Sequence, residues 1–469
     1  MANAEVISGP RPTDVLQAPE GSEILSPQRT LMIIAHAYQP PREYLLLGEP
    51  GEQRADVVAS VNEQIYQECY KPNFVDREQL PDGLLMSFYA PLRDWIKHHH
   101  PEEFDIIRER INALEDKEYR VLGDPYMHII LPLLSPEDQD TWVKIGKQAF
   151  EDDFGFTPKG MWLPETAVSA TTIRVLHNNG YKFVVLRDTQ LQSAEQPIMH
   201  IPVRDENGKE TADAMTVVHF DSEISGSVSY PDPKNDITHP VQKFLSLPQF
   251  AHKSRYAIAT DMEYYGHHQK FKDQWLAAAT NKYILAKFGF QTFDVKKALE
   301  ETPYAKTDIW DNSSWSCDHE LGRWKGTCGC GLNPDNPDWS IVDEIHKLYQ
   351  DVDGKDKEID KRLDELYPAG WRDTYVRFFL GTREAVFQQG DIDDEIETLR
   401  QQEDMDILRN EKVVPLFKAH TAVGIAEISC FGFFRDKADR PERELAQGNL
   451  VQIQKLVPDI NEAVIYNAA

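Results

Sequence analysis

Short apolar runs recur through the first half of the chain, at Leu31 to Ala35, Leu84 to Tyr89, Met127 to Leu134, Met161 to Leu163, Phe183 to Leu186, Met215 to Phe220 and Tyr256 to Ala259. Several are apolar throughout instead of alternating, the pattern of strands covered on both faces of a parallel sheet. Between them, stretches such as Ala55 to Cys69, Leu92 to Asp116, Thr141 to Asp152 and Thr171 to Asn178 carry apolar residues at helical spacing. Asn179-Gly180 supplies a stop for the last of these, because glycine accepts the left-handed conformation that follows a helix. Strands alternating with helices predict a mainly parallel α/β sheet, closed into a barrel in preference to an open sheet. Strand signals then fade, and Trp339 to Leu408 is charged, helix-forming sequence. The expected division is a flexible tail over 1–29, a barrel over 30–300 and a mainly helical region over 301–469 that includes a tryptophan- and cysteine-rich segment.

Charge narrows the partners. The 469 residues include 50 Lys plus Arg against 78 Asp plus Glu, a formal net charge of −28. Such a protein repels a nucleic-acid backbone or an anionic membrane, which leaves neutral partners such as sugars or small metabolites. The N-terminal residues have no basic region followed by an apolar stretch, and no apolar run reaches spanning length, a pattern that predicts a cytoplasmic location. Five cysteines, an odd number, speak for reduced thiols over a secreted disulfide framework. Oligomeric state is not set by any of these features.

In α/β folds of this kind, functional groups gather beyond the C-terminal ends of parallel strands, where the loops converge. The run LMIIA leads into HAYQPPRE and delivers His36, Gln39 and Arg42; GDPYMHIILPLL carries His128 inside an apolar segment. GMWLPE delivers Trp162 and Glu165, and ATDMEYYGHH delivers Asp261, Glu263, Tyr264, Tyr265, His267 and His268. Each has a plain alternative. His128 could be a satisfied core histidine, Glu165 could cap the following helix, and Asp261 and Glu263 could be two solvated acids on one side of an extended segment. What those alternatives explain poorly is the coincidence of acids, imidazoles and an indole at the same kind of strand end. Cleaving a glycosidic bond needs one carboxylic acid to protonate the leaving oxygen and a second carboxylate on the other face of the sugar. Trp162, Tyr264 and Tyr265 offer apolar faces for sugar rings with polar edges for hydroxyls.

HAYQPPRE, GDPYMHIILPLL, GMWLPE and TDMEYYGHH resemble, in order, four motifs of glycoside hydrolase family 57. NEQIYQECYKPN, HFDSEISGSVSY, SSWSCDHELGRWKGTCGC and EISCFGFFRD look like a subgroup of that family with an extended C-terminal region. The resemblance implies an incomplete seven-stranded (β/α) barrel followed by a helical C-terminal domain, acting on α-glucans with retention of configuration as a hydrolase or glucanotransferase, without a cofactor. Carried over by position, it implies Glu165 as nucleophile and Asp261 as general acid/base. His36 and His128 would line the sugar site, and Trp162 and Glu263 would shape and polarise it. Gln39, Tyr265 and His267 join the expected substrate-binding set. Where the family's fourth motif commonly continues D-x-E-T-F-G, this chain has Tyr264-Tyr265 before Gly266, and only Asp221 stands where better-studied members have an arginine-aspartate pair.

Cys317-x-His319 followed by Cys328-x-Cys330 places four soft-metal ligands close together, of a kind that suits structural Zn²⁺. The spacing is not a common zinc-ribbon pattern, so buried free thiols are the favoured expectation, with no metal assigned. A third reading makes Trp315, Arg323 and Trp324 a sugar-binding lid over the barrel mouth. Two functions of other classes stand beside the glucan enzyme: a metal-dependent carbohydrate deacetylase using His36, His128 and Asp261, and a glycan-binding protein without turnover.

Overall fold

The computed structural model describes residues 29–40, 61–81, 83–229, 254–368, 370–388, 392–433 and 441–461, together with Leu245 and Arg435. Residues 1–28 of the expected tail, and Arg42, lie outside the described residues, while Arg29 already opens the first strand. The sheet is built from β1 (Arg29–Ala37), β2 (Leu84–Phe88), β3 (Val121–Gly123), β4 (Gly160–Trp162), β5 (Phe183–Arg187), β6 (Ile198–Arg204), β7 (Glu210–Phe220), β8 (Arg255–Asp261) and β9 (Phe290–Thr292).

Along the order β7-β5-β4-β3-β2-β1-β8 every neighbouring pair is parallel, giving the seven-stranded core of a (β/α) barrel. β6 adds an antiparallel edge to β7, and β9 pairs in parallel with β1. The barrel is incomplete: among the described residues no ladder joins β7 to β8. The two edges are held instead by the Asp221 amide donating to the Ala257 carbonyl at 2.8 Å, the Ala257 amide donating to Asp221 Oδ2 at 2.9 Å, and Arg255 donating to the His219 carbonyl at 2.8 Å. Asp221 is thus a structural clasp.

The strands form where unbroken apolar runs can be covered on both faces. In β1, Leu31, Ile33 and Ala35 join one apolar cluster while Met32 and Ile34 join the other, as the two-residue side-chain period requires. The predicted strand Met127 to Leu134 is not one. Proline at 125 and 132 removes ladder donors there, and the third strand is Val121–Gly123, with the apolar segment following its end as irregular backbone and a 3₁₀ turn, Leu131–Leu133. Met127 to Leu131 are buried and Pro132 to Leu134 half-buried, and Met127, Ile129 and Leu131 share the large apolar cluster with residues of the helical region.

Helix boundaries follow local chemistry. Ser135 caps Pro136–Phe154 by accepting from the Asp138 amide, Ser169 caps Ala170–Asn178 through the Thr172 amide, and Gly180, at φ 82°, ends the latter as expected. The predicted helix across Leu92 to Asp116 is two, Ala90–His99 and Pro101–Asn112, because Pro101 cannot donate within a continuous helix. Long helices dominate later, including Ser340–Leu366, Arg372–Gln388, Val413–Ala426 and Pro441–Leu456. They pack on the barrel through a cluster that unites strand residues such as Ile34, Leu122 and Val184 with Trp371, Phe379 and Phe417.

Candidate active site

Parallel register sets the first row of the site. His36, in β1, lies opposite Asp261 in β8 and opposite Ser87 in β2. One pleat earlier the same face carries Ala259, Ile34 and Leu85, all in the apolar cluster. Polar groups therefore replace apolar ones on this face where the strands run out, which is the expected place for chemistry.

His36 Nδ1 lies 2.8 Å from Ser87 Oγ, and its Nε2 lies 3.1 Å from His128 Nε2. His128 Nδ1 lies 2.6 Å from Ser429 Oγ. Burial lowers His36 to about 3 and, with the neighbouring His36 ring, holds His128 well below the ordinary histidine range. Both rings are neutral at physiological pH, so only one Nε2 carries the shared proton. One histidine then donates to its serine through Nδ1 and the other accepts. Tyr38 stacks on His128 with centroids 4.1 Å apart, and Tyr89 meets both imidazoles edge-on.

Trp162 ends β4 with its ring fully buried. His36 stacks on one side at 5.1 Å between centroids, and Phe220 is stacked at 6.3 Å. The face expected to receive a sugar is thus already covered by protein. Trp315 meets Trp162 edge-on at 5.3 Å and remains only partly buried, so the accessible indole is Trp315.

Glu165 follows in a short turn, with φ 56° and Thr166 at φ 50°, both in the left-handed region that non-glycine residues seldom occupy. The turn is held from outside. Gln190 Nε2 donates to the Thr166 carbonyl at 2.8 Å, and the Trp315 amide donates to Thr166 Oγ1 at 3.0 Å. Glu165 Oε2 accepts from Trp315 Nε1 at 2.9 Å and from Ser316 Oγ at 2.6 Å. Burial raises the Glu165 carboxyl above its ordinary range, while those two donors and the Arg323 charge oppose the rise by favouring the ionised form.

Asp261 is solvent-accessible at the end of β8, yet protein walls enclose it. That enclosure, then the negative charges of Glu263 and Glu165, push it well above the usual carboxylate range. All three causes act in the same direction. Glu263 is buried and accepts from Gln39 Nε2 at 2.6 Å and from the Tyr70 hydroxyl. Burial raises it too, against those hydrogen bonds. Asp261 and Glu263 therefore titrate as a linked pair, and the Glu165 charge reaches into it.

The sequence profile of glycosyl hydrolase family 57 matches residues 41–307, more than half of the chain. The chain belongs to glycosyl hydrolase family 57. Among curated proteins it is 26% identical over 225 residues to alpha-amylase 1 of Dictyoglomus thermophilum, covering 46% of this chain and 31% of that one. It is 23% identical over 182 residues to a 4-alpha-glucanotransferase of Thermococcus litoralis, covering 38% and 27%. The matched stretch spans less than a third of the length of either relative. An exo-type maltose-forming amylase from Pyrococcus sp. ST04 shares the fold, with a TM-score of 0.62 over 93% of this chain and 80% of that one at 14% identity.

Within this family-57 chain, four of the expected substrate contacts find other occupations. Trp162 is enclosed as described. Tyr265 is fully buried, its hydroxyl 3.0 Å from Thr260 Oγ1 and its ring stacked on Trp275, because Gly266, at φ 140°, turns the chain tightly against the Glu68 carbonyl. His267 is drawn to the Glu68 carboxylate at 2.7 Å. Trp324 is fully buried with Nε1 donating to the Ser429 carbonyl at 2.9 Å, so it supports the floor of the loop and is no lid. Ser87, Tyr70, Ser316 and Ser429 were not singled out from the sequence. Ser87 is the lone polar residue in LLMSF and Ser316 adjoins Trp315, while Tyr70 and Ser429 lie inside the quoted stretches NEQIYQECYKPN and EISCFGFFRD, which are usable signals. The deacetylase reading meets an obstacle, since all four ring nitrogens of His36 and His128 are already engaged with each other and two serines.

Proposed function

We propose that this protein cleaves α-glucosidic bonds with retention of configuration, with Glu165 as nucleophile and Asp261 as general acid/base. The observation that carries the reading is the electrical asymmetry of two carboxyls at the strand ends, where the Glu165 charge acts on Asp261. Asp261 is biased towards its protonated form by enclosure and by two acids, while Glu165 holds two hydrogen bonds that favour its anion. In the first step Glu165 attacks the anomeric carbon as the Asp261 proton passes to the departing glycosidic oxygen. In the second, Asp261 takes a proton from the incoming hydroxyl, whose oxygen displaces Glu165. Water as that acceptor gives hydrolysis; a sugar hydroxyl gives transfer. Trp315 is the accessible ring against which a pyranose can lie. The family membership and the relatives named alpha-amylase and 4-alpha-glucanotransferase support the α-glucan class.

Incubation with maltooligosaccharides, followed by chromatography, distinguishes the outcomes. Shorter products alone indicate hydrolysis, and longer ones transfer. Asp261→Asn is expected to lower kcat by about 10²- to 10⁴-fold, the usual contribution of a general acid, and Glu165→Gln by roughly 10³-fold or more. Unchanged oligosaccharides, with binding retained in both variants, would leave a glycan-binding protein instead.

A further inference from the structure

The segment between Glu301 and Ser340 contains one short helix, Gly322–Lys325, and is otherwise irregular among its described residues. Its first half is tied down by bridges from Lys306, Ile309 and Ser313 to His200, Leu191 and Val168 and by Ile309 and Trp315 on the large apolar cluster, whereas the stretch from Cys317 to Cys330 sits on a small cluster of Ile130, Ala167, Cys317, Leu321, Trp324 and Cys328. A stretch of irregular backbone on so small a core is where a further tether adds most. Two of its residues, Glu320 and Leu321, sit at φ 48° and 63° between the candidate ligands.

We propose that Cys317, His319, Cys328 and Cys330 bind a structural zinc ion that anchors the loop carrying Trp315 and Ser316 onto Glu165. The donor atoms of these four residues all lie within 4.8 Å of one another. Tetrahedral zinc with bonds of about 2.3 Å to sulfur sets neighbouring sulfurs about 3.8 Å apart. Cys317 Sγ and Cys328 Sγ are 3.8 Å apart, far beyond the ~2.05 Å of a disulfide. His319 Nδ1 faces Cys330 Sγ at 3.1 Å, which completes a three-sulfur, one-nitrogen set. Cys-Gly-Cys, which looks like an awkward bite in sequence, brings both thiols to the same centre as Cys317. Three thiolates around Zn²⁺ leave a net charge of −1, and cations are in place to meet it. Arg435 donates to the carbonyls of Cys328 and Arg323, and Arg323 donates to the Ser316 carbonyl at 3.0 Å. Cys317 directly follows Ser316, so the ion fixes the backbone that presents both donors to Glu165.

Metal content tests this without reference to glucan chemistry. Full-length protein expressed with supplementary zinc and desalted is expected to retain about one zinc per chain by plasma mass spectrometry, with three sulfur neighbours and one nitrogen by X-ray absorption. Cys328→Ser with Cys330→Ser is expected to lose the metal, and Asp318→Ala, an exposed neighbour, to keep it. Because the double variant can fail to fold, His319→Cys provides a second arm, expected to keep the ion with four sulfur neighbours. Zinc below about a tenth per chain in the parent, retention by the double variant, a sulfur count unmoved by His319→Cys, or a Cys317–Cys328 disulfide in the purified protein each overturns the assignment.

Discussion

Glu165 holds a backbone conformation that costs of order 1–3 kcal/mol outside glycine, and it persists because Thr166, Gln190 and Trp315 bond the turn from three sides. The turn holds a buried carboxylate within hydrogen-bond reach of Trp315 and Ser316. Asp261 illustrates the opposite cost. Its folded-state pKa is raised, so between its unfolded value near 4 and that raised value the folded state binds more protons than the unfolded one. Stability therefore falls as pH rises through that window. Asn cannot titrate. Asp261→Asn is expected to raise Tm, with little gain at pH 4 and an increasing gain towards pH 8, measured by differential scanning fluorimetry across that range. A gain independent of pH would show that charge repulsion at this residue is not the cause.

At the scale of elements, the helix Pro136–Phe154 must approach the segment that carries His128 closely enough for Gly146 to touch it. A Cβ added at Gly146 would lie 1.9 Å from the Asp124 carbonyl oxygen and 2.6 Å from the Tyr126 amide nitrogen, both main-chain atoms that cannot swing aside. Gly146→Ala is expected to cost about 1–3 kcal/mol as an overpacking change, despite alanine's better helix propensity. Urea unfolding would register it as a lower midpoint. A midpoint at or above that of the parent would mean that the helix can shift without cost. The close approach fixes the chain just before Met127, and Met127, Ile129 and Leu131 are buried without forming a strand, in the apolar cluster that the C-terminal helices share.

For the whole molecule, barrel and helices share one interior. Arg383, from Arg372–Gln388, donates to Asp153 Oδ1 at 3.0 Å, and Asp153 Oδ2 accepts from buried Arg93 at 2.7 Å. Phe379 meets Tyr126 and Trp142 edge-on, and Ser429 completes the histidine chain. A chain ending after Glu301 would leave the barrel side of the large apolar cluster uncovered and Asp153 without one cation. Such a chain is expected to aggregate or elute as an expanded species in size-exclusion chromatography, without the near-ultraviolet dichroism of the full protein. A compact, soluble monomer would show that the helices are accessory to folding.

Local order was legible in the residues themselves. Apolar runs of strand length, serine caps, the Asn179-Gly180 stop and charged helical spacing are short-range signals, and they gave six of the seven parallel strands and the helical character of the later chain. The third strand was misplaced because burial under distant helices gives an irregular segment the same apolar content as a strand. That Glu165, Asp261, His36, His128 and Glu263 stand at or beyond strand ends was legible because each follows or closes an apolar run. Tertiary structure alone decided which aromatic rings were already spent. Trp162, Tyr265 and Trp324 read as sugar platforms in sequence, yet His36 with Phe220, Trp275 and the Ser429 carbonyl occupy them. It also recruited Ser87, Tyr70, Ser316 and Ser429 and converged three thiols and an imidazole. Such choices depend on contacts between residues far apart in the chain, which no local pattern encodes.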